Sequence, residues 1–164
     1  MPRHSALIPL SHDHHHILVL ALRLKKRGPA TLRDVWPTSV AEQVKNVLYI
    51  AEHDIRPHFR IEEELLFPAI VEGASQQRHR DLIRDLIEDH RAIEELLGRL
   101  ISGSEATLGD TLYQLGILIE AHVRKEERGI FQYIHECVSP EQLADLQARI
   151  HEAHSAFRPP HHPF

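Results

Sequence analysis

The chain has 164 residues, 42% hydrophobic and 26% charged, with a formal net charge of −5. One domain of ordinary globular composition accounts for this, and the negative balance argues against a general binder of nucleic acid or anionic membrane. No apolar h-region opens the chain and no apolar run nears the ~20 residues that span a bilayer, so a reducing cytosol is the expected location.

Residues 1–8 read as an arm. Helix one is predicted from Pro9 or Leu10 to Arg27, where Gly28-Pro29 stops it. Its inward stripe is Leu10, His14, Ile17, Leu18 and Ala21, while His12, His15 and His16 point elsewhere. Residues 28–38 connect, with Trp36 packed over a bundle end. Ser39-Val40-Ala41-Glu42 is a capping box and opens helix two, which runs to Phe67 before Pro68. Pro57 lies inside that span and predicts a kink, either a simple one or one that aims His58 and opens room for a ligand.

Gly73-Ala74-Ser75 is a turn with a serine cap for helix three, from Gln76 to Ile101. Leu82, Ile83, Leu86, His90, Ile93, Glu94 and Leu97 share its inner face. Helix four is predicted from Glu105 to Glu136, with Leu115, Leu118, Ile119, His122, Glu126 and Ile130 on one face. The single cysteine, Cys137, can build neither a disulfide framework nor a thiolate zinc site, and reads as a small residue near a helix end. Ser139-Pro140-Glu141-Gln142 is a second capping box and opens a shorter helix five, to Ala156. The proline-rich end, 158–164, reads as a tail whose His161 and His162 have no ligand role. The fold class is all-α: one domain, an antiparallel up-down-up-down four-helix bundle over 9–137, with the fifth helix and tail over 138–164.

Fifteen histidines are far above ordinary usage, and their spacing carries the chemistry. His58-x-Arg60-x-Glu62-Glu63 recurs 64 residues later as His122-x-Arg124-x-Glu126-Glu127, with a phenylalanine nine on in both copies, Phe67 and Phe131. Asp13-His14-x-x-Ile17 precedes the first copy, and Asp89-His90-x-x-Ile93 the second. The chain reads as a duplicated αα-hairpin. Histidine and glutamate four apart stack on one helix face, here the inward one. Two carboxylates facing each other in a dry core would repel and raise their own pKa values, and a pair of cations removes that problem.

The candidate metal ligands are therefore His14, His58, Glu62, His90, His122 and Glu126, with Glu94 as a seventh. Imidazole and carboxylate without thiolate suit iron best; manganese and zinc are compatible. Two bridging glutamates, four histidines and a shared oxo or hydroxo group leave about two positions open among roughly twelve for octahedral ions. Glu94 can fill one, and dioxygen or a similarly small diatomic ligand suits an open one. Glu63 and Glu127 read as a solvated face, with a supporting role behind the ligands, or a ligand role of their own, as the alternative. Arg60 and Arg124 read as surface charges. Asp13 and Asp89 either face solvent or hydrogen-bond a ligand imidazole.

With these residues and the "EEELLFP" ending of helix two, residues 9–137 resemble the hemerythrin-like HHE cation-binding domain. The resemblance implies a non-haem di-iron centre in a four-helix bundle. Its relatives bind dioxygen, sense oxygen or iron, or act in peroxide and nitric-oxide responses. The chain departs from oxygen-carrying hemerythrins at two points. Glu94 stands where they have a histidine, and His122 and Glu126 are four apart where they space histidine and aspartate by five. Both departures point away from simple reversible carriage. A di-iron enzyme acting on peroxide or nitric oxide, and a non-catalytic storage or zinc-binding bundle, stand as alternatives.

Overall fold

Ser39 and Ser139 begin their helices as the capping boxes predict. Ser39 Oγ accepts the Glu42 backbone N–H at 3.2 Å. At Ser139 the exchange is reciprocal: Oγ accepts the Gln142 N–H at 3.3 Å, and Gln142 Oε1 accepts the Ser139 N–H at 3.0 Å. Each bond satisfies a donor that the first helical turn leaves orphaned.

The computed structural model describes residues 4–157, and among them there is no strand. A 3-10 turn, Ser5–Leu7, leads into α1, Ile8–Lys26. A second rod, α2, is helical throughout residues 40–73. Then come α3, Gln77–Ser102, α4, Glu105–Arg128, α5, Ile130–Cys137, and α6, Pro140–Phe157. Side-chain pairing shows the antiparallel order. His14 meets Glu126 while Arg27 meets Asp110; Arg56 meets Glu94 while Glu63 meets His90; Asp89 meets Lys125 while His90 meets His122.

Two apolar clusters fill the bundle. One is built on Ile17, Leu24, Val47, Ile93, Leu97 and Leu115, the other on Leu7, Leu66, Phe67, Leu86, Ile134 and Leu146. Between them lies a layer of buried histidine and glutamate. α6 closes the second cluster with Leu143, Leu146 and Ile150.

The elements differ from the predicted ones where backbone chemistry outweighs side-chain periodicity. Residues 5–8 are not an arm: Ala6 and Leu7 are fully buried, and Ser5 Oγ donates to Gln147 Oε1 of α6 at 2.7 Å. The turn of α1 is made by Arg27 in the left-handed region (φ 55°) rather than by Gly28. Ser75 does not cap α3; Gln76 precedes it without a side-chain bond. The tail predicted at 158–164, with His161 and His162, lies outside the described residues.

Two further differences concern the site. Pro68 does not end α2, which runs on to Gly73. Both interior prolines follow a π-turn, Ala51–Ile55 before Pro57 and Glu62–Leu66 before Pro68. A proline lacks the N–H and needs room at the carbonyl four residues back; a widened turn just before it supplies both conditions. The backbone around Pro57 is thus irregular, as expected, but through a π-turn. Helix four is not continuous to Glu136. It breaks at Gly129, where a Cβ would lie 2.6 Å from Leu82 Cδ2 and 2.8 Å from the Lys125 carbonyl oxygen. Both rods therefore lose regularity within three residues of their glutamates, Glu62 and Glu126.

Gly116 lets α1 and α4 approach: a Cβ there would meet Leu24 Cβ at 2.8 Å and the Ala21 carbonyl oxygen at 2.9 Å. Gly116→Val is expected to destabilise the chain by about 1–3 kcal/mol through overpacking. Urea denaturation checks this, and an unchanged midpoint would mean the two helices are not in that contact.

Candidate metal centre

Each of the four long rods delivers one histidine to the buried layer: His14 from α1, His58 from α2, His90 from α3 and His122 from α4. All are at most 3% exposed, and Glu62 and Glu126 are fully buried beside them. The ring nitrogens meet in pairs. His14 Nε2 and His58 Nε2 are 3.1 Å apart, as are His90 Nε2 and His122 Nε2. Glu62 reaches both pairs, with Oε1 3.0 Å from His58 Nε2 and Oε2 3.4 Å from His90 Nε2. Glu126 does the same through Oε2, 3.1 Å from His14 Nε2 and 3.5 Å from His122 Nε2.

Two four-donor groups result: His14, His58, Glu62 and Glu126, and Glu62, His90, His122 and Glu126. Within each, the donor atoms lie within 4.8 Å of one another, and both glutamates belong to both. None of the four glutamate oxygens accepts a hydrogen bond, although all are buried. Buried carboxylate oxygens without donors are rare and costly in folded proteins. Paired ring nitrogens aimed at the same space, beside orphaned carboxylate oxygens, fit cations.

The outer nitrogens are occupied. His14 Nδ1 meets Glu127 at 2.8 Å, His58 Nδ1 meets Asp13 at 3.2 Å, His90 Nδ1 meets Glu63 at 2.6 Å and His122 Nδ1 meets Asp89 at 3.4 Å. A carboxylate accepts, so each outer nitrogen carries a proton, and in the neutral imidazole that leaves the Nε2 lone pair for a cation. Glu63 and Glu127 are thus not a merely solvated face. Asp13 and Asp89 take the second of their two expected roles, and Asp13 also meets His154 of α6 at 3.1 Å. The duplication is visible in rings too. Phe131 stacks on His14 at 5.1 Å and Phe67 on His90 at 5.7 Å.

Glu94 is not brought into the layer. Its two carboxylate oxygens accept from Arg56 Nε and a terminal nitrogen, both at 2.9 Å, on a half-exposed surface. A guanidinium fork in reach captures a carboxylate more readily than a site a turn away. Arg60 and Arg124 are surface charges, held by Glu64 and Glu120. His154 and Lys125, which stand behind Asp13 and Asp89, carried no periodic signal: neither recurs in the duplicated unit.

Burial disfavours charge on every group here, yet the glutamates decide the balance. Burial pulls the His14 pKa down, but the neighbouring carboxylates of Glu126, Glu127 and Glu62 outweigh it and hold the metal-free value at about 11. For His58, burial is outweighed by the charge of Glu62 and the bond to Asp13, and the value stands at about 9. Glu62 is held well below the ordinary carboxylate range: burial raises it, and His58, His14 and His90 more than reverse that. The metal-free site therefore keeps protons at pH 7 that an incoming cation must displace. Metal binding is expected to release protons, and affinity to climb as pH rises from about 6 to about 9. Calorimetry of zinc binding in buffers of different ionisation enthalpy checks this, and a heat independent of buffer contradicts it.

Residues 7–134 match the family model described as the hemerythrin HHE cation-binding domain. No curated protein and no solved structure matches the chain. With the model spanning most of the chain, and the duplicated His/Glu layer standing inside an all-α bundle, this protein belongs to the hemerythrin HHE cation-binding family.

Proposed function

We propose that the chain holds two iron ions in this layer and binds dioxygen, or a similarly small diatomic molecule, as a sensor or scavenger. The observation that carries this is the pair of four-donor groups sharing Glu62 and Glu126. His14 and His58 would hold one ion and His90 and His122 the other, with Glu62 and Glu126 in reach of both. Nitrogen and carboxylate donors without thiolate favour iron over softer-site metals. Bound there, such an iron pair would supply the redox chemistry that a small diatomic ligand needs.

The chain's own residues control access. Apolar clusters lie on either side of the layer and exclude water. An open groove of about 490 Å³ between α2 and α3 is lined by Arg56, Phe59, Glu63, His90 and Glu94. Phe59 lies flat on His90, with ring centroids 3.7 Å apart, and both line that groove. A small diatomic molecule suits such an approach better than a bulky substrate. The net charge of −5 favours neither nucleic acid nor an anionic membrane as partner, and no helix among the described residues is long and apolar enough to cross one. A reducing cytosol is the proposed location.

Iron analysis with absorption spectra, taken with and without oxygen, tests the proposal. Two irons per chain and a spectrum that changes on exposure to oxygen are expected. A colourless chain that retains zinc and ignores oxygen would overturn it. Turnover of peroxide or nitric oxide, abolished in Glu126→Ala, would replace it with an enzymatic role.

Stoichiometry separates the acidic residues. Glu126→Ala is expected to hold no more than one ion, because the residue serves both groups. Glu94→Ala is expected to keep both ions and to cost under about 1 kcal/mol, since it loses only a surface pair. Metal analysis of the two variants after gel filtration measures the difference.

A further inference from the structure

Behind the ligands, the two halves of the layer are supported differently. In the second half, Asp89 Oδ2 faces His122 Nδ1 at 3.4 Å and accepts from Lys125 Nζ at 2.6 Å. In the first half, Asp13 Oδ2 faces His58 Nδ1 at 3.2 Å. The position that corresponds to Lys125 there is Ile61, which is 2% exposed and packs in the cluster closed by α6. Ile61 carries no donor that could take the part of Lys125. Instead its other oxygen, Oδ1, meets His154 Nε2 at 3.1 Å, and His154 comes from α6, outside the duplicated unit and outside the matched residues 7–134.

Asp13 is 2% exposed. A carboxylate so buried needs donors on both oxygens to stay put, and its Oδ2 is committed to the ligand imidazole. His154, at 21% side-chain exposure, supplies a donor to Oδ1 from the solvent side. Removing it takes that donor from Asp13 Oδ1 and weakens the hold on the carboxylate that keeps the proton on His58 Nδ1 and His58 Nε2 available to an ion.

We propose that His154 is a positioning residue of the metal centre, acting through Asp13 on His58, and that it does for the first ion what Lys125 does for the second. This rests on the two-ion proposal above. It makes α6 part of the centre rather than only a cover for the apolar cluster, and it makes the two ions unequal in their outer support.

The full chain, loaded with zinc, is challenged with excess chelator, and loss of each ion is timed. Four variants are compared with wild type: His154→Phe, His154→Ala, His154→Gln and Lys125→Met. Phe keeps the bulk of the ring without a donor; Ala is too short to reach Asp13; Gln restores an N–H. Expected are about tenfold faster loss of one ion of two in the Phe and Ala variants, and wild-type retention in the Gln variant. Lys125→Met is expected to speed loss of one ion, and His154→Phe with Lys125→Met to speed both. Circular dichroism of the metal-free chains separates loss of fold from loss of support, and the Ala variant decides should the Phe variant fold poorly. Wild-type rates in both Phe and Ala overturn the proposal, as does equal loss in Phe, Ala and Gln. A wild-type chain that never holds two ions overturns the two-ion proposal instead.

Discussion

Glu62 and Glu126 lie fully buried between two apolar clusters, with four oxygens that accept no hydrogen bond, and the rest of the structure is arranged around that fact. Taking a carboxylate out of water costs several kcal/mol even after relaxation. A fully buried leucine contributes about 1.5–3 kcal/mol, so two bare carboxylates would cancel several of the leucines around them. Positive charge has to enter the layer. In the metal-free chain protons on His14 and His58 supply it. In the proposed iron-loaded chain the cations supply it and the imidazoles become neutral donors.

The same constraint explains the outer shell of carboxylates. An imidazole that must offer Nε2 to a cation has to keep its proton on Nδ1, and an acceptor there holds both the tautomer and the ring plane. All four histidines have one. The duplication crosses over in doing so. His14 of the first hairpin is held by Glu127 of the second, and His90 of the second by Glu63 of the first. Neither hairpin completes its own half, so the layer exists only when the two are docked.

Where the copies differ, the halves acquire different surroundings. Phe59 faces His90, and its counterpart in the second hairpin is Val123, so among the described residues His90 contacts two phenylalanine rings while His14 stacks on Phe131 alone of the phenylalanines. The groove between α2 and α3 reaches the His90 half. On the other side α6 packs over Ile61 and places His154 on Asp13. A duplicated sequence has become an asymmetric centre, with solvent approach beside one imidazole pair and a covering helix beside the other.

The sequence alone determined the bundle and six residues of its buried layer, because both rest on periodicity: a 3.6-residue repeat sets the inward stripe, and histidine and glutamate four apart share it. Capping boxes at Ser39 and Ser139 were equally local and equally legible. Glu94 satisfied the same periodicity but left the layer, because Arg56 on a neighbouring rod captures it, and a partner on another helix leaves no mark in local spacing. The π-turns before Pro57 and Pro68, the break at Gly129 and the burial of Leu7 likewise depend on what packs opposite. Only the tertiary structure showed that His154 stands behind Asp13: the two are 141 residues apart, and their meeting depends on how α6 folds back across the bundle.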